Sequence, residues 1–192
     1  MKEPGTLEDL RDVGAYLQGH FLLTTGRHSD TFFLLARLTE RPKRLRPWVE
    51  TLQENMKNID AHTIVGPAMG GIIPSYALAS LRDDARVVFA EKSETGTMVF
   101  RRGFRLERGE RVIIVEDAMT TGSSILKVMD AVLRQGAQVS AVGVLVNRSF
   151  DGKVPWQGIP FFSVLDVPEI ETWMPEDCPL CQQGVPLSVP KE

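Results

Sequence analysis

The sequence has few features of secreted, membrane or nucleic-acid-binding proteins. Its 192 residues include two cysteines, Cys178 and Cys181, too few for the framework of a disulfide-rich secreted domain. No apolar run approaches the roughly 20 residues that cross a bilayer, and the acidic first dozen residues are unlike a signal or transit peptide. We therefore expect a cytoplasmic protein that has no membrane partner.

Neither sign of charge dominates the chain. The 22 lysines and arginines and the 25 aspartates and glutamates give a formal net charge of −3. This balance provides no global basic field for nucleic acid, so we expect no nucleic-acid partner. Local groups must then hold any anionic substrate. The Walker A and Rossmann glycine patterns are both missing, and no Ser-His-Asp set supports hydrolysis.

Apolar strands alternate with helices through the middle of the chain. Predicted strands cover 63–66, 86–90, 111–115 and 138–146, and predicted helices cover 43–57, 71–81 and 123–135. This alternation favours one α/β domain, residues 1–192, with a central, mostly parallel sheet flanked by helices. Ligands of such sheets bind beyond the carboxyl ends of the strands.

The regions outside this alternation have weaker patterns. Thr6 is a predicted N-cap of a helix that Gly19 ends, and short strands are predicted at 20–23 and 31–35. The polar, glycine-containing stretch 92–111 predicts a mobile hairpin or lid. The proline-rich stretch 155–190 predicts short irregular pieces.

The strongest motif is VIIVEDAMTTGSS, which spans residues 112–124. An apolar strand ends in two carboxylates, Glu116 and Asp117, and a hydroxyl-rich loop with Gly122 then opens an amphipathic helix. A helix start binds phosphate through free backbone N–H groups. The carboxylates suit sugar hydroxyls instead. The motif therefore predicts a site for a ribose 5-phosphate, whereas the alternative is an N-cap cluster on a structural helix.

This motif resembles the signature of type I phosphoribosyltransferases, which bind 5-phosphoribosyl-1-pyrophosphate (PRPP). The resemblance implies the type I fold, with a core at about 60–150, a small hood from about 1–40 and 150–192, and a mobile lid. It also implies Mg²⁺, held mainly by substrate oxygens and water, and a homodimer. The PRPP-binding residues that it implies are Glu116, Asp117, Ala118, Met119, Thr120, Thr121, Gly122, Ser123, Ser124, Lys92, Ala68 and Met69.

Two further segments are assigned to the pyrophosphate. The loop Val65–Gly71 follows a strand and opens a helix, and it resembles the family's pyrophosphate loop. Lys92 stands where orotate phosphoribosyltransferases have a PRPP-contacting lysine, so that Lys92 and Asp117 are the predicted catalytic residues. The lid lacks the usual lysines and histidines, and Arg101 and Arg102 are candidates for the missing charge.

Orotate is the predicted base. The segment GHFLLTTGRHSDTFF resembles the orotate enzymes, and Arg148 matches their arginine that binds the orotate carboxylate bidentately. Asn147 replaces the usual acid before this arginine. The predicted orotate-binding residues are Thr120, Arg148, His28, Phe32 and Phe33.

Cys178 and Cys181 have the spacing of half a zinc ribbon. A zinc site needs four ligands, and the chain has no second cysteine pair. The alternatives are a Zn²⁺ shared by two chains across a dimer axis, a redox disulfide, or a packed turn with two reduced thiols, and the last is favoured.

Three functions remain open from the sequence. The first is phosphoribosyl transfer to orotate, with release of pyrophosphate and formation of orotidine 5′-monophosphate. The second is transfer to another purine or pyrimidine base, which would not need Arg148. The third is a non-catalytic PRPP sensor, which the depleted lid favours.

Overall fold

The computed structural model describes residues 4–23, 25–149, 153–167 and 170–190. Within these ranges the chain forms a six-stranded sheet covered by helices and a separate three-stranded sheet. No helix in these ranges is long and apolar enough to cross a membrane. The ends of the predicted domain, residues 1–3 and 191–192, lie outside the described residues.

The six-stranded sheet is parallel except at one edge. Its spatial order is β5-β4-β3-β6-β7-β8, and only β5 runs antiparallel to its neighbour. The central strands are continuous apolar runs because both faces are covered. The strands are β3 (Thr63–Pro67), β4 (Arg86–Lys92), β5 (Met98–Phe100), β6 (Arg111–Met119), β7 (Gln138–Asn147) and β8 (Phe161–Asp166). The predicted α/β class with a mostly parallel sheet is confirmed.

Helices cover both faces of this sheet. One face packs against α3 (Pro42–Asn55) and α4 (Ile72–Ala79), and the other packs against α5 (Ser123–Arg134). The apolar residues of α3 and α5 recur at helical spacing, which gives each helix one buried stripe. All three helices lie within two residues of their predicted bounds.

A small antiparallel sheet joins the two ends of the chain. It contains β1 (Tyr16–Leu22), β2 (His28–Phe33) and β9 (Thr172–Trp173), in the order β1-β2-β9. We define this sheet, with the segment 174–190 that follows it, as the hood. Helix α1 (Leu7–Asp12) precedes the β1–β2 hairpin and the short α2 (Ala36–Thr39) follows it. Leu10 of α1 and Leu38 of α2 belong to the same apolar cluster as Phe33 of β2.

The N-terminal prediction was partly wrong. Thr6 caps α1 as expected, and its hydroxyl accepts a hydrogen bond from Asp9 N–H at 3.1 Å. The helix nevertheless ends at Asp12, because the chain turns at Gly14 (φ +73°) and pairs with β2 from Tyr16 onward. Gly19 therefore lies inside β1, at an irregularity in the pairing.

The C-terminal prediction of irregular pieces holds only in part. Strand β8 adds six residues to the main sheet beside β7, so the sheet extends beyond the predicted core limit near residue 150. Buried and exposed residues do not alternate along β8, since all its residues are half-buried or exposed. Beyond β9 the chain forms a 3₁₀ turn (Pro175–Asp177) and the one-turn helix α6 (Pro179–Gln182).

The stretch after Lys92 forms the predicted hairpin. Strand β5 returns antiparallel to the end of β4, and the turn residues Ser93 and Thr97 share a backbone hydrogen bond of 2.8 Å. Its mobility as a lid stays a prediction.

Close packing of α3 on the sheet gives a stability prediction. A Cβ on Gly143 of β7 would lie 2.9 Å from Met56 Sδ and 3.2 Å from Leu52 Cδ1. We expect Gly143→Val to overpack this contact and to lower the free energy of unfolding by about 1–3 kcal/mol in urea denaturation. Gln138→Val, at the exposed start of the same strand, is the control and should change it by less than about 0.5 kcal/mol. Equal stability of the two variants would contradict this packing.

Candidate active site

The predicted site residues gather where the strand order reverses. From β3 the chain first adds β4 on one side and later β6 on the other. The loops after β3 and β6 therefore diverge and leave a crevice at the carboxyl edge of the sheet, which is the usual ligand position in such folds. Arg148 follows the neighbouring strand β7 and joins the same edge.

Two carboxylates lie at the end of β6. Glu116 is 8% exposed, and burial together with the charge of Asp117 raises its pKa to about 9. Burial also raises the pKa of Asp117, whose Oδ1 accepts a hydrogen bond from Ala118 N–H at 2.7 Å. Neither forms a salt bridge with the residues that the structure describes. A ligand with hydroxyl donors or positive charge would compensate this desolvation.

The loop after β3 packs directly against these acids. A Cβ on Gly70 would lie 2.7 Å from Asp117 Oδ2, and one on Gly71 would lie 2.6 Å from Val115 O. Only glycine fits at these two positions without moving β6. The peptide bond between Ala68 and Met69 is cis, and Met69 is 80% exposed at the tip of the loop. The predicted pyrophosphate loop and the predicted ribose acids are thus in contact.

The loop after β6 forms a small cavity at the start of α5. Gly122 adopts a left-handed conformation (φ +73°), and Ser123 N–H donates to Thr121 Oγ1 at 3.4 Å. The cavity measures about 50 Å³ and is lined by residues of this loop and of the first turn of α5. Backbone N–H groups at a helix start have no partner within the helix. Its lining contains the predicted PRPP residues of 116–124 except Asp117, and it leaves out Lys92, Ala68 and Met69. The lining residues are Glu116, Ala118, Met119, Thr120, Thr121, Gly122, Ser123 and Ser124, with Ile125.

Two residues behind this loop were missed by the sequence reasoning. A Cβ on Gly122 would lie 2.7 Å from Pro155 Cγ and 3.2 Å from Trp156 Cζ3. Pro155 and Trp156 therefore close the back of the predicted phosphate loop. The proline-rich composition of this segment carried no signal for that contact.

Arg148 lies half-buried over an aromatic ring. Its guanidinium carbon is 4.5 Å from the ring centroid of Phe33, and its Nε is buried without a hydrogen-bond partner in the described chain. Burial lowers its pKa, although the group stays charged. Asn147 does not replace the missing acid as an anchor, because its Nδ2 donates to Asp166 Oδ1 at 2.8 Å. A partly desolvated guanidinium whose Nε has no partner among the described residues suits a carboxylate.

The other predicted orotate residues have different surroundings. Phe32 packs against Phe21, with ring centroids 5.8 Å apart. The ring of His28 is 5% exposed and contacts His20 and Cys181 in the hood. The contact of His28 with orotate therefore stays a prediction, and in the structure its ring contacts side chains of the hood.

The basic residues of the hairpin differ in whether their charge is already paired. Lys92 is exposed at the end of β4, and its side chain lies over the turn, with Cε 3.9 Å from a Cβ built on Gly96. Arg102 donates to Glu91 Oε1 at 2.9 Å and lies over the ring of Phe89, so its charge is already paired. Arg101 is exposed and remains the candidate for the missing lid charge.

The buried carboxyl of Glu116 predicts an unusual pH dependence of stability. The pKa of Glu116 rises from its ordinary 4.5 to about 9 on folding. The folded state favours the protonated form of Glu116. Its contribution to the free energy of unfolding is therefore fully present below pH 4.5 and is lost as the pH rises through 9. We expect Glu116→Gln to raise Tm of the ligand-free protein at pH 8 by at least about 2 °C, and to flatten its decline between pH 5 and 9, in calorimetry. Glu94→Gln on the exposed hairpin is the control, and an equal gain there would refute the assignment.

Comparisons with known proteins agree with this geometry. Residues 38–173 match the phosphoribosyl transferase domain family. A protein of Thermotoga maritima named orotate phosphoribosyltransferase is 44% identical over 183 residues, which cover 95% of each chain.

Solved structures share the fold. The crystal structure of orotate phosphoribosyltransferase from Aeropyrum pernix matches with a TM-score of 0.68 and 26% identity, over 83% of this chain and 92% of that one. An adenine phosphoribosyltransferase from Thermoanaerobacter pseudethanolicus also reaches 0.68, at 19% identity, over 84% of this chain and all of that one. The fold alone therefore does not select the base. The family match and the sequence identity establish that this chain belongs to the phosphoribosyl transferase domain family, in its orotate phosphoribosyltransferase branch.

Proposed function

We propose that this chain transfers the 5-phosphoribosyl group of PRPP to N1 of orotate, in the synthesis of pyrimidine nucleotides. Pyrophosphate leaves C1 of the ribose, and orotidine 5′-monophosphate forms. The observation that supports this base most directly is Arg148, whose buried Nε has no partner among the residues that the structure describes and whose guanidinium lies over Phe33. The sequence identity to proteins named orotate phosphoribosyltransferase supports the same base.

The ribose 5-phosphate has a complementary position in the crevice. The phosphate would accept hydrogen bonds from the N–H groups of the loop 120–124, which precedes α5. The ribose hydroxyls would donate to Glu116 and Asp117, and ionised acids beside the ribose favour the positive charge that develops at C1. Ligand binding would thus draw the raised pKa of each acid back down.

The pyrophosphate would lie against the loop after β3. Gly70 is exposed and lies beside Asp117. The N–H groups of Ala68 and Gly71 already donate to Ala90 O and Pro67 O, so the N–H groups of Met69 and Gly70 are the ones that would donate to the pyrophosphate. Lys92 is exposed at the neighbouring strand end and would neutralise charge on the leaving group. Mg²⁺ fits this position, because Glu116 and Asp117 supply hard oxygen atoms without a salt-bridge partner in the described chain. When bound, Mg²⁺ supplies positive charge to the leaving pyrophosphate.

The orotate carboxylate would pair with Arg148. A guanidinium fork matches a carboxylate through two parallel hydrogen bonds, and partial burial strengthens the pair relative to water. Phe33 restricts the orientation of the guanidinium plane. Contacts of orotate with Thr120, Phe32 and Phe33 remain part of the proposal.

Transfer to another base and PRPP sensing remain the alternatives. Another base leaves Arg148 without a carboxylate partner, and a sensor binds PRPP without releasing pyrophosphate. Pyrophosphate release, measured with PRPP, Mg²⁺ and each base in turn, separates the three. We expect turnover with orotate and not with adenine, guanine, hypoxanthine or uracil.

We also propose a homodimer. The turns of α4 beside the pyrophosphate loop expose Ile73 (47%) and Tyr76 (67%), and they border an apolar groove of about 420 Å³ between α3 and α4. Tyr76→Asp should shift the mass in light scattering from two chains to one. Leu133→Asp, at another exposed apolar residue (62%), is the control.

The ribose acids give the first catalytic prediction. We expect Asp117→Asn to lower kcat for orotate by about 100-fold or more, because it removes a charge beside the developing cation. Circular dichroism and Tm check that the variant is folded. Turnover within a few-fold of the unmodified protein would refute the role of Asp117.

Arg148 gives a prediction for orotate binding. We expect Arg148→Ala to raise KM for orotate by about 10- to 100-fold, the cost of a lost charged hydrogen-bond pair. KM for PRPP should change much less. Arg46→Ala, at an exposed arginine paired with Glu50 on α3, is the control. An unchanged KM for orotate in Arg148→Ala would contradict the assignment of the base.

A further inference from the structure

Four potential metal ligands converge in the hood, apart from the active site. His20 lies on β1, His28 lies on β2, and Cys178 and Cys181 flank the start of α6. One ligand atom from each of the four side chains lies within 4.8 Å of every other. Neither cysteine forms a disulfide.

The four atoms have the spacing of a tetrahedral ligand set. Cys178 Sγ and Cys181 Sγ lie 3.4 and 3.7 Å from His20 Nε2, and Cys181 Sγ lies 3.3 Å from His28 Nδ1. The two nitrogens are 2.9 Å apart. A tetrahedral Zn²⁺ with its usual bond lengths places sulfur and nitrogen ligands about 3.6 Å apart and two nitrogens about 3.3 Å apart. These four distances differ from the tetrahedral values by a few tenths of an ångström, and no two of the four atoms lie more than 4.8 Å apart.

A hydrogen bond behind His20 orients its ring for this role. His20 Nδ1 lies 2.8 Å from the carbonyl oxygen of Val185, which only an N–H can satisfy. The proton is then on Nδ1, and the lone pair of Nε2 points to the two sulfurs and to His28. Metal-binding histidines are commonly fixed in this way by a backbone carbonyl.

Three of the four side chains are buried, which favours a bound ion as their partner over solvent. His20, His28 and Cys178 are 3%, 5% and 0% exposed, and only Cys181 reaches the surface. Buried polar groups are generally satisfied by a specific partner. Two imidazoles alone would account for one shared hydrogen bond, but not for the convergence of both sulfurs on the same point.

We propose that His20 Nε2, His28 Nδ1, Cys178 Sγ and Cys181 Sγ bind one Zn²⁺ as a structural site. Four protein ligands fill a tetrahedral shell and leave no position for a substrate or a reactive water. Two sulfurs and two nitrogens select Zn²⁺ over Mg²⁺, which prefers oxygen. A two-iron cluster is disfavoured, because it would separate the cysteine pair from the histidine pair on different irons.

The ligands come from one chain. The sequence supplied one recognisable half of the site, and the only four-ligand arrangement considered from it was a pair of chains sharing the metal. The hairpin turns His20 and His28 towards the cysteines instead. This proposal also replaces the predicted contact of His28 with orotate.

The ion would connect the two parts of the hood, the β1–β2 hairpin and the segment 174–190. The β1–β2 hairpin and the segment 174–190 otherwise meet through a few backbone contacts, among them Leu22 N–H to Ser188 O at 2.9 Å and Ser188 N–H to His20 O at 2.8 Å. Strand β2, which carries His28, also carries Phe33 over Arg148. Zn²⁺ in the hood would therefore stabilise the aromatic wall of the base site from a distance.

Metal analysis of the full-length protein tests the proposal independently of its activity. After purification without metal-chelating resin and dialysis, we expect about one Zn²⁺ per chain by mass spectrometry of metals. Cys178→Ser/Cys181→Ser and His20→Asn should each retain less than a tenth of this. The control is His62→Asn, because His62 is the third histidine and is exposed, and it should retain the full amount. Zinc retained by the double cysteine variant, or absent from the unmodified protein after Zn²⁺ is added and excess removed, would overturn the proposal.

Cobalt reports the ligand set directly. We expect protein reconstituted with Co²⁺ to show the thiolate-to-metal charge-transfer band and the intense visible bands of tetrahedral cobalt, and Cys178→Ser to lose most of the charge-transfer intensity. Free-thiol titration of the chelated protein should give two thiols per chain. A spectrum typical of six oxygen or nitrogen ligands, or thiols that are oxidised to a disulfide in the purified protein, would refute the site.

His28→Asn separates the two roles considered for His28. As a ligand, its loss should release Zn²⁺ and lower Tm by at least about 5 °C. As an orotate contact, its loss should raise KM for orotate while Zn²⁺ and Tm stay unchanged, and that result would contradict the metal site.

Discussion

Two desolvated carboxylates, the buried Glu116 and the half-buried Asp117, lie side by side near the end of β6 and constrain the rest of the candidate active site. Desolvation raises the pKa of Glu116 and Asp117, and the loop after β3 can approach them only because Gly70 has no side chain. In the ligand-free protein these carboxylates lack compensating hydrogen-bond donors at the point where a polyhydroxyl anion would bind. Binding energy and folding stability oppose each other here, as is common where a site must be organised before its ligand arrives.

The sequence predicted those features that depend on local pattern. The alternation of strands and helices, the loop before α5 and the acids before it all lie where expected, because buried parallel strands and helix starts have strong local signals. Long-range pairing was not predictable in the same way. The early end of α1 follows from β1 pairing with β2, and the placement of β8 follows from an edge of β7 that lies far away in sequence.

Arg148 shows how a specific residue adds to a general fold. The same architecture occurs in an adenine phosphoribosyltransferase, so the sheet and the phosphate loop do not distinguish bases. In this chain a guanidinium lies against Phe33 of the hood at the edge of the site. The sequence indicated the arginine, but its aromatic neighbour could only be assigned once the hood was seen to fold back on the sheet.

The hood is built from segments at opposite ends of the described chain, since β2 pairs with β9. During synthesis on the ribosome, the strands and loops of the six-stranded sheet emerge before residues 172–188. A nascent chain can therefore bury its central sheet before Trp173 pairs with His28. Phe33, on the same strand as His28, would then reach its final surroundings later than Glu116 and Asp117 do.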